Sequence, residues 1–291
     1  MDIITFVTTI FCKIDDWLQD KQVRRSGPAP KLSDSEVLTM EIVGEFLGYD
    51  EEKKMYDYFR RHWQAEFPKL REVHRTTFTR QAANLWGVKE ALWQYLLQQI
   101  HFDTAVSVVD SFPVPVCRFA RANRCRLFEC EAAYGYDEVA KQTFYGFRCH
   151  LRICWPGVIV GVQLAPANLH ELDAVENLLA QAHGWVLGDR NYWCPELAQR
   201  LAQRGIWLLA PFKSKQRERV PWPKWLSHKR YLIETVFGQL VGRLQAKSVW
   251  ARDMWHLRSR WIRKILTHTF AFFLAQQSGQ SPLQFAKLIS H

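Results

Sequence analysis

Apolar positions in the first hundred residues recur every three to four places, and from residue 104 onward shorter, strand-like runs begin to alternate with helical ones. Ile3, Val7, Ile10, Phe11, Ile14 and Leu18 trace one face of an amphipathic first helix. The stretch 24–31, with Gly27, Pro28 and Pro30, reads as a linker. Ser33 and Glu36 have capping-box spacing ahead of Val37, Leu38, Ile42, Val43 and Phe46, and Gly48 closes that helix. A third helix is predicted from about Glu51 to Trp63 and a fourth from Thr76 to Trp86. The fourth presents Arg75, Thr77, Arg80 and Gln81, a pattern compatible with a helix-turn-helix and equally with a structural or dimerising bundle. Residues 1–100 are therefore expected to form an all-α domain for DNA binding or dimerisation.

Thr104 to Asp110 is a run of small and β-branched residues with a carboxylate at its end, followed by Ser111-Phe112-Pro113. It reads as a buried strand that stops at Asp110, because proline blocks easy continuation of a ladder. The span 118–136, with Arg121 and Arg124, reads as irregular and basic. Phe147, Cys149, Leu151, Ile153 and Trp155 then alternate with Arg148, His150 and Arg152, a strand with one apolar face and one basic, solvated face. Pro156-Gly157 turns the chain into a second apolar strand, Val158 to Val162. Asn168 and Glu171 have the spacing of another helix start, before Leu172, Val175, Leu178, Leu179 and Ala182. A strand from Gly184 ends in Asp189, and a helix from Pro195 to Arg204 leads to a strand from Ile206 to Ala210. Pro211 to Trp225 reads as an exposed loop mixing Lys213, Lys215, Arg217, Arg219 and Lys224 with tryptophan. Helices from His228 to Leu244 and from about His256 to Ala275 complete the chain. That order predicts an α/β fold, a mixed sheet with helices on its faces.

Charge narrows the function. Lysine and arginine outnumber the acids 39 to 29 over 291 residues, a formal surplus of +10 that favours polyanions, nucleic acid before anionic membrane. The apolar run from Ile3 to Ile10 is too short to span a bilayer and lacks the marks of a signal peptide, so a cytoplasmic, nucleoid-associated protein is expected. The seven cysteines are then free thiols, and Cys117, Cys125 and Cys130 lack zinc-site spacing.

The chemistry rests on three acids. Asp110 and Asp189 each end an apolar strand, although a single such aspartate is as readily a turn former. Glu234 lies at the edge of the helical stripe Ile233, Phe237, Leu240 and Leu244, with Arg230 four residues earlier. That last pair has an ordinary reading too, an i,i+4 ion pair of about 0.2–0.5 kcal/mol. Clustered carboxylates resist ionisation unless a cation sits among them. Mg²⁺ suits such a site, Mn²⁺ being an alternative, and two ions would serve phosphoryl transfer.

The motifs Val109-Asp110-Ser111-Phe112-Pro113-Val114-Pro115-Val116-Cys117, Glu131-Ala132-Ala133-Tyr134-Gly135-Tyr136, Pro166-Ala167-Asn168, Leu187-Gly188-Asp189 and Arg230-Tyr231-Leu232-Ile233-Glu234-Thr235-Val236 carry a resemblance. From about residue 30 to about residue 275 the chain resembles the DDE transposases of bacterial insertion sequences. The resemblance implies an RNase H-like catalytic domain over 101–291, with a basic insertion at about 211–225. It also implies catalysis by Asp110, Asp189, Glu234 and Arg230, the three acids holding Mg²⁺, and strand cleavage and transfer at terminal inverted repeats. The partners expected are double-stranded DNA, both element ends and target, and a second copy in a homodimer on DNA. Arg75, Arg80, Arg121, Arg124, Lys213, Lys215 and Arg230 are the expected DNA contacts. Ser227 and Val241 stand where the family signature has tyrosine and lysine, and Asn191 stands where it often has glycine. An RNase H-like nuclease without strand transfer and a catalytically silent DNA-binding repressor remain the alternatives.

Overall fold

The computed structural model describes residues 1–21, 23, 28–212 and 224–289. Residues 24–27 of the expected linker and 213–223 of the expected basic loop, Lys213 and Lys215 among them, lie outside the described residues. The chain divides into two compact units. One comprises Met1–Ile100, Leu240–Ala246 and Trp250–His291; the other comprises His101–Gln239 and Lys247–Val249.

The first unit is helical: α1 (Ile3–Leu18), α2 (Asp34–Phe46), α3 (Glu52–His62), α4 (Arg75–Asn84), α5 (Trp86–Leu97) and, from the far end of the chain, α9 (Met254–Gln277). Both arms of the α2 capping box form: Ser33 Oγ accepts from Glu36 N at 3.1 Å and Glu36 Oε2 from Ser33 N at 2.7 Å. Gly48, with φ at +89°, turns the chain out of that helix in the left-handed region that side chains avoid. Twelve residues, 63–74, separate α3 from α4, where a helix-turn-helix needs a turn of about 3–4. Arg75, Thr77 and Arg80 are exposed on α4, but Gln81 is buried and donates to Leu32 O and Asp34 Oδ1, so it is not free to reach a base.

The sequence places α9 with residues 101–291, whereas in the structure it packs against α2, α4 and α5 of the helical unit. The reason is electrostatic as well as hydrophobic. Residues 261–275 are buried all round, and that buried stretch includes Arg263 and Lys264. Arg263 donates to Glu45 at 2.6 Å, to Glu52 at 3.1 Å and to Asp50 O at 2.9 Å. Lys264 reaches Glu45 and Leu244 O, Arg260 pairs with Glu52, and Lys89 of α5 binds Glu41 at 2.7 Å and Ser259 Oγ at 2.8 Å. Burial works against the charge on Arg263, yet Glu45, Glu52 and Glu41 raise its pKa above the ordinary value. Each buried charge is tolerable only while its partners are present.

The second unit is a sheet with helices on its faces. Its elements are β1 (Asp103–Pro115), β2 (Ala133–Asp137), β3 (Gln142–Trp155), β4 (Val158–Pro166), α6 (Glu171–Leu178), β5 (Gly184–Leu187), α7 (Pro195–Ala202), β6 (Ile206–Leu209) and α8 (Lys224–Gly238). β3 is antiparallel to β1, β2 and β4, while β5 runs parallel to both β1 and β6. This is the mixed, RNase H-like arrangement that the element order and the resemblance lead one to expect. β2 is an addition: the stretch read as irregular ends in a strand that pairs with Gln142–Gly146.

Two strand readings change. β1 does not stop at Asp110; it runs on to Pro115, paired with β3 throughout. Val116 N donates to Tyr145 O at 2.9 Å, so even-numbered N–H groups face β3 and odd-numbered ones face the opposite edge. Pro113 and Pro115 therefore remove no ladder bond, which is why proline is tolerated there. The basic face of β3 is not solvated either. His150 and Arg152 are 1% and 7% exposed, beneath α6, whose Leu178 packs over Gly161 and the Arg152 stem. Burial, helped by the charge of Arg148, lowers the His150 pKa to about 4, so it is neutral under ordinary conditions.

Replacing Arg263 with alanine leaves the buried Glu45 and the half-buried Glu52 without their principal cation. The expected loss is about 3–5 kcal/mol, read as a lower midpoint in urea unfolding followed by circular dichroism. An exposed control, Arg75→Ala, should move the midpoint by no more than about 0.5 kcal/mol.

Candidate active site

The site forms where two parallel strands part company. β5 pairs with β1 only from Val106↔Trp185 to Val108↔Leu187. Beyond that point β1 continues with an edge that no strand among the described residues covers, and Asp110 and Asp189 each stand two residues past the last pair. Gly188 allows the turn, since a Cβ there would lie 2.7 Å from the Tyr192 Cβ. Asp189 caps the short turn that follows, its Oδ1 accepting from Asn191 N at 2.9 Å. Asp110 accepts from Ser111 N at 2.8 Å, one of the N–H groups facing the open edge.

Both carboxylates are perturbed, and the charge of Asp189 acts on Asp110. Burial raises the Asp110 pKa to about 7, the charges of Asp189 and Glu171 add to the rise, and the Ser111 N–H and Arg230 oppose it. Asp189 is also raised, by burial and then by Glu171, with the Asn191 N–H and Arg230 opposing. The charge of Arg230 is thus felt at both aspartates. It lies on α8, which packs on β1 with Phe237 edge-on to Phe112, ring centroids 4.9 Å apart. Glu234 sits on the same helix between Arg230 and Phe237; it is exposed and is not among the charges that chiefly shift either aspartate.

Three residues that the sequence did not single out belong to this corner. Glu171 was read as part of a cap with Asn168; the actual N-cap is His170, whose ring accepts from Leu172 N. Glu171 instead turns inward, accepting from Ser111 Oγ at 2.7 Å and from Arg148 Nη1 at 3.3 Å. Arg148 also reaches Ser111 Oγ at 3.3 Å and Tyr136 O at 2.9 Å. Tyr192 is fully buried, with no hydrogen-bond partner for its hydroxyl among the described residues; burial and the charges of Glu171, Asp110 and Asp189 hold it protonated. No sequence signal points to Glu171, because the partners that give it this role, Ser111 and Arg148, lie 60 and 23 residues away.

Oxygen donors that are desolvated, crowded and reluctant to ionise suit a hard divalent cation. As the side chains lie, no group of three or more His, Cys, Asp or Glu among the described residues is arranged to hold one. Arg121 and Arg124 are exposed in the turn Phe119–Arg124. The Cys117 thiol, its pKa raised to about 11 by burial and by a hydrogen bond with the Cys125 thiol, stays protonated, and Cys130 is exposed.

A family model described as a transposase DDE domain matches residues 101–250, 150 of the chain's 291 residues. The chain belongs to that family. No curated protein matches it. Two solved structures of transposases align over most of this transposase's length. The piggyBac transposase synaptic complex with hairpin DNA is 10% identical, covering 97% of this chain and 76% of its own, with a TM-score of 0.48. The Mos1 mariner paired-end complex with Mn is 13% identical, covering 95% of this chain and 88% of its own, with a TM-score of 0.22. Membership of the family makes DNA transposition the activity to explain, and DDE transposases generally use divalent metal ions.

A pH dependence follows. The folded Asp110 pKa, about 7, lies above its ordinary 3.8, so the unfolded chain loses this proton first and ionisation destabilises the fold as pH rises from 4 to 7. Asp110→Asn removes that penalty. In chelator, its melting temperature should exceed the wild type's by several degrees at pH 8 and converge with it near pH 4; a constant difference across the range would contradict the assignment.

Proposed function

We propose that this transposase is encoded by a bacterial insertion sequence and carries out metal-dependent strand cleavage and strand transfer at the element's terminal inverted repeats. The observation that carries the reading is the pair Asp110 and Asp189, both desolvated, the charge of Asp189 acting on Asp110 and that of Arg230 on both. Folding alone gains nothing from such a pair, since each carboxylate opposes the other's ionisation.

Asp110 and Asp189 would hold the cation, with Glu234 of α8 as the third carboxylate; Mg²⁺ is the natural occupant, Mn²⁺ a substitute, and two ions the working number. When bound, such ions activate the attacking oxygen and stabilise the leaving one. The protein supplies the rest. Arg230, whose charge is felt at both aspartates, would meet a phosphate of the scissile strand, where a guanidinium binds in a fixed geometry. The buried Tyr192 and the apolar layer beneath it, including Val109, Val186 and Leu208, keep the floor of the site dry, which strengthens every charge interaction there. Arg121 and Arg124, exposed after β1, are candidates for backbone contacts on double-stranded DNA. Arg75 and Arg80 on α4 would contact element ends, and two copies would pair on the DNA. Chemistry is assigned to the sheet unit and end recognition to the helical one.

The test is a plasmid carrying both element ends, incubated with protein and Mg²⁺. Wild type should nick at the ends and join the freed strands to target DNA. Asp189→Ala and Asp110→Ala should fall to background in cleavage, while DNA binding by gel shift stays within about threefold, because sequence-independent binding comes from basic residues. A variant cutting at the wild-type rate would sink the assignment, and cleavage without any joined product would make the protein a nuclease.

A further inference from the structure

We propose that Glu171 is a positioning residue for the site: it holds Ser111, and through Ser111 the direction of the Asp110 carboxylate. The inference rests on the reading of Asp110 as a metal-holding group.

The geometry is a short relay. Ser111 donates its hydroxyl to Glu171 Oε1 at 2.7 Å and its backbone N–H to Asp110 Oδ1 at 2.8 Å. One residue is thus pulled from both sides, its side chain by the helix and its backbone by the neighbouring carboxylate. Arg148 closes the arrangement, 3.3 Å from Ser111 Oγ and from Glu171 Oε1, and is itself anchored on Tyr136 O at 2.9 Å. The side chains of Glu171 and Arg148 are only 13% and 17% exposed, so the ion pair is shielded and the rotamers are held.

The position in the fold shows why such a brace is needed. Past Val108, β1 has lost β5 as a neighbour and, among the described residues, pairs on one side only, with β3. Asp110 sits on that half-supported segment, while Asp189 is fixed by its own turn. An aspartate on an open edge rotates about two side-chain bonds unless something orients it. Glu171 reaches across from the first turn of α6, ties Ser111 to the helix and leaves the Ser111 N–H aimed at Asp110. An ordinary surface pair would not need Ser111 at all, and an ordinary helix start would turn Glu171 toward its own backbone; here that duty falls to His170. Partners that orient a metal-binding side chain typically matter by about 10–100-fold in metal affinity.

The test compares Glu171→Ala, Glu171→Gln, Ser111→Ala and Asp110→Ala in the full-length protein without DNA. Mn²⁺ binding is followed by the electron paramagnetic resonance signal of the free ion, and folding by thermal melting. Glu171→Ala and Ser111→Ala should each weaken Mn²⁺ binding about tenfold. Glu171→Gln, whose amide oxygen still accepts from Ser111, should recover most of the loss. Ser111→Ala keeps the Arg148–Glu171 ion pair and carries the test if Glu171→Ala fails to fold. Wild-type Mn²⁺ affinity in Ser111→Ala, with Asp110→Ala impaired, would overturn the proposal; so would Glu171→Gln as weak as Glu171→Ala, which would make the charge itself the agent. Wild-type affinity in Asp110→Ala would instead overturn the metal reading of the site, and this proposal with it.

Discussion

The arrangement of the sheet unit depends on a single mismatch of strand lengths. β1 is thirteen residues long and β5 four, so their parallel pairing ends after three registered positions. Everything distinctive about the site follows from that early ending. It opens one edge of β1, it lets two prolines sit in a strand without a lost bond, and it brings Asp110 and Asp189 together just beyond the last pair. The apolar layer formed by Val109, Val186 and Tyr192 then removes water from one side of the two carboxylates. Water is what normally makes a carboxylate indifferent to its neighbour; without it, each charge is felt by the other.

The charges around that corner divide into two roles. Arg230 opposes the rise in both aspartates and leaves the pair short of neutral, so a site built this way still attracts cations. Arg148 is engaged instead with Glu171 and Ser111. One arginine is thus bound up in structure while the charge of the other acts on the two aspartates. Within a chain of formal charge +10, that local excess of acid is a departure from the whole, and it marks the site more clearly than any single residue does.

A different electrostatic solution holds the helical unit. Glu41, Glu45 and Glu52 meet Lys89, Arg260, Arg263 and Lys264 in its interior, each acid engaged by at least two cations. Such a network adds less stability than an apolar core of equal volume, but it penalises any packing that separates a member from its partners. It therefore fixes which helices lie against α9 and in what register, a selectivity that apolar contacts alone provide weakly.

Local pattern determined a good deal of this protein. Period-two and period-three-to-four stretches gave β1, β3, β4, β5, β6 and the helices between them, because burial on one face is written directly into residue order. The capping box at Ser33 and the turn at Pro156-Gly157 were legible for the same reason: their partners are a few residues apart. Asp110 and Asp189 stood out as acids following apolar runs, and Arg230 and Glu234 as a pair four residues apart on one helix. What the sequence could not decide depended on partners far away in the chain. The burial of His150 and Arg152 follows from α6 lying over β3, and the strand continuing through Pro113 follows from which edge of β1 is open. Glu171 took its meaning from Ser111 and Arg148, 60 and 23 residues away, and α9 joined the helical unit because its cations match acids more than two hundred residues earlier. Periodicity records which side of an element faces inward; only tertiary packing determines what that side meets.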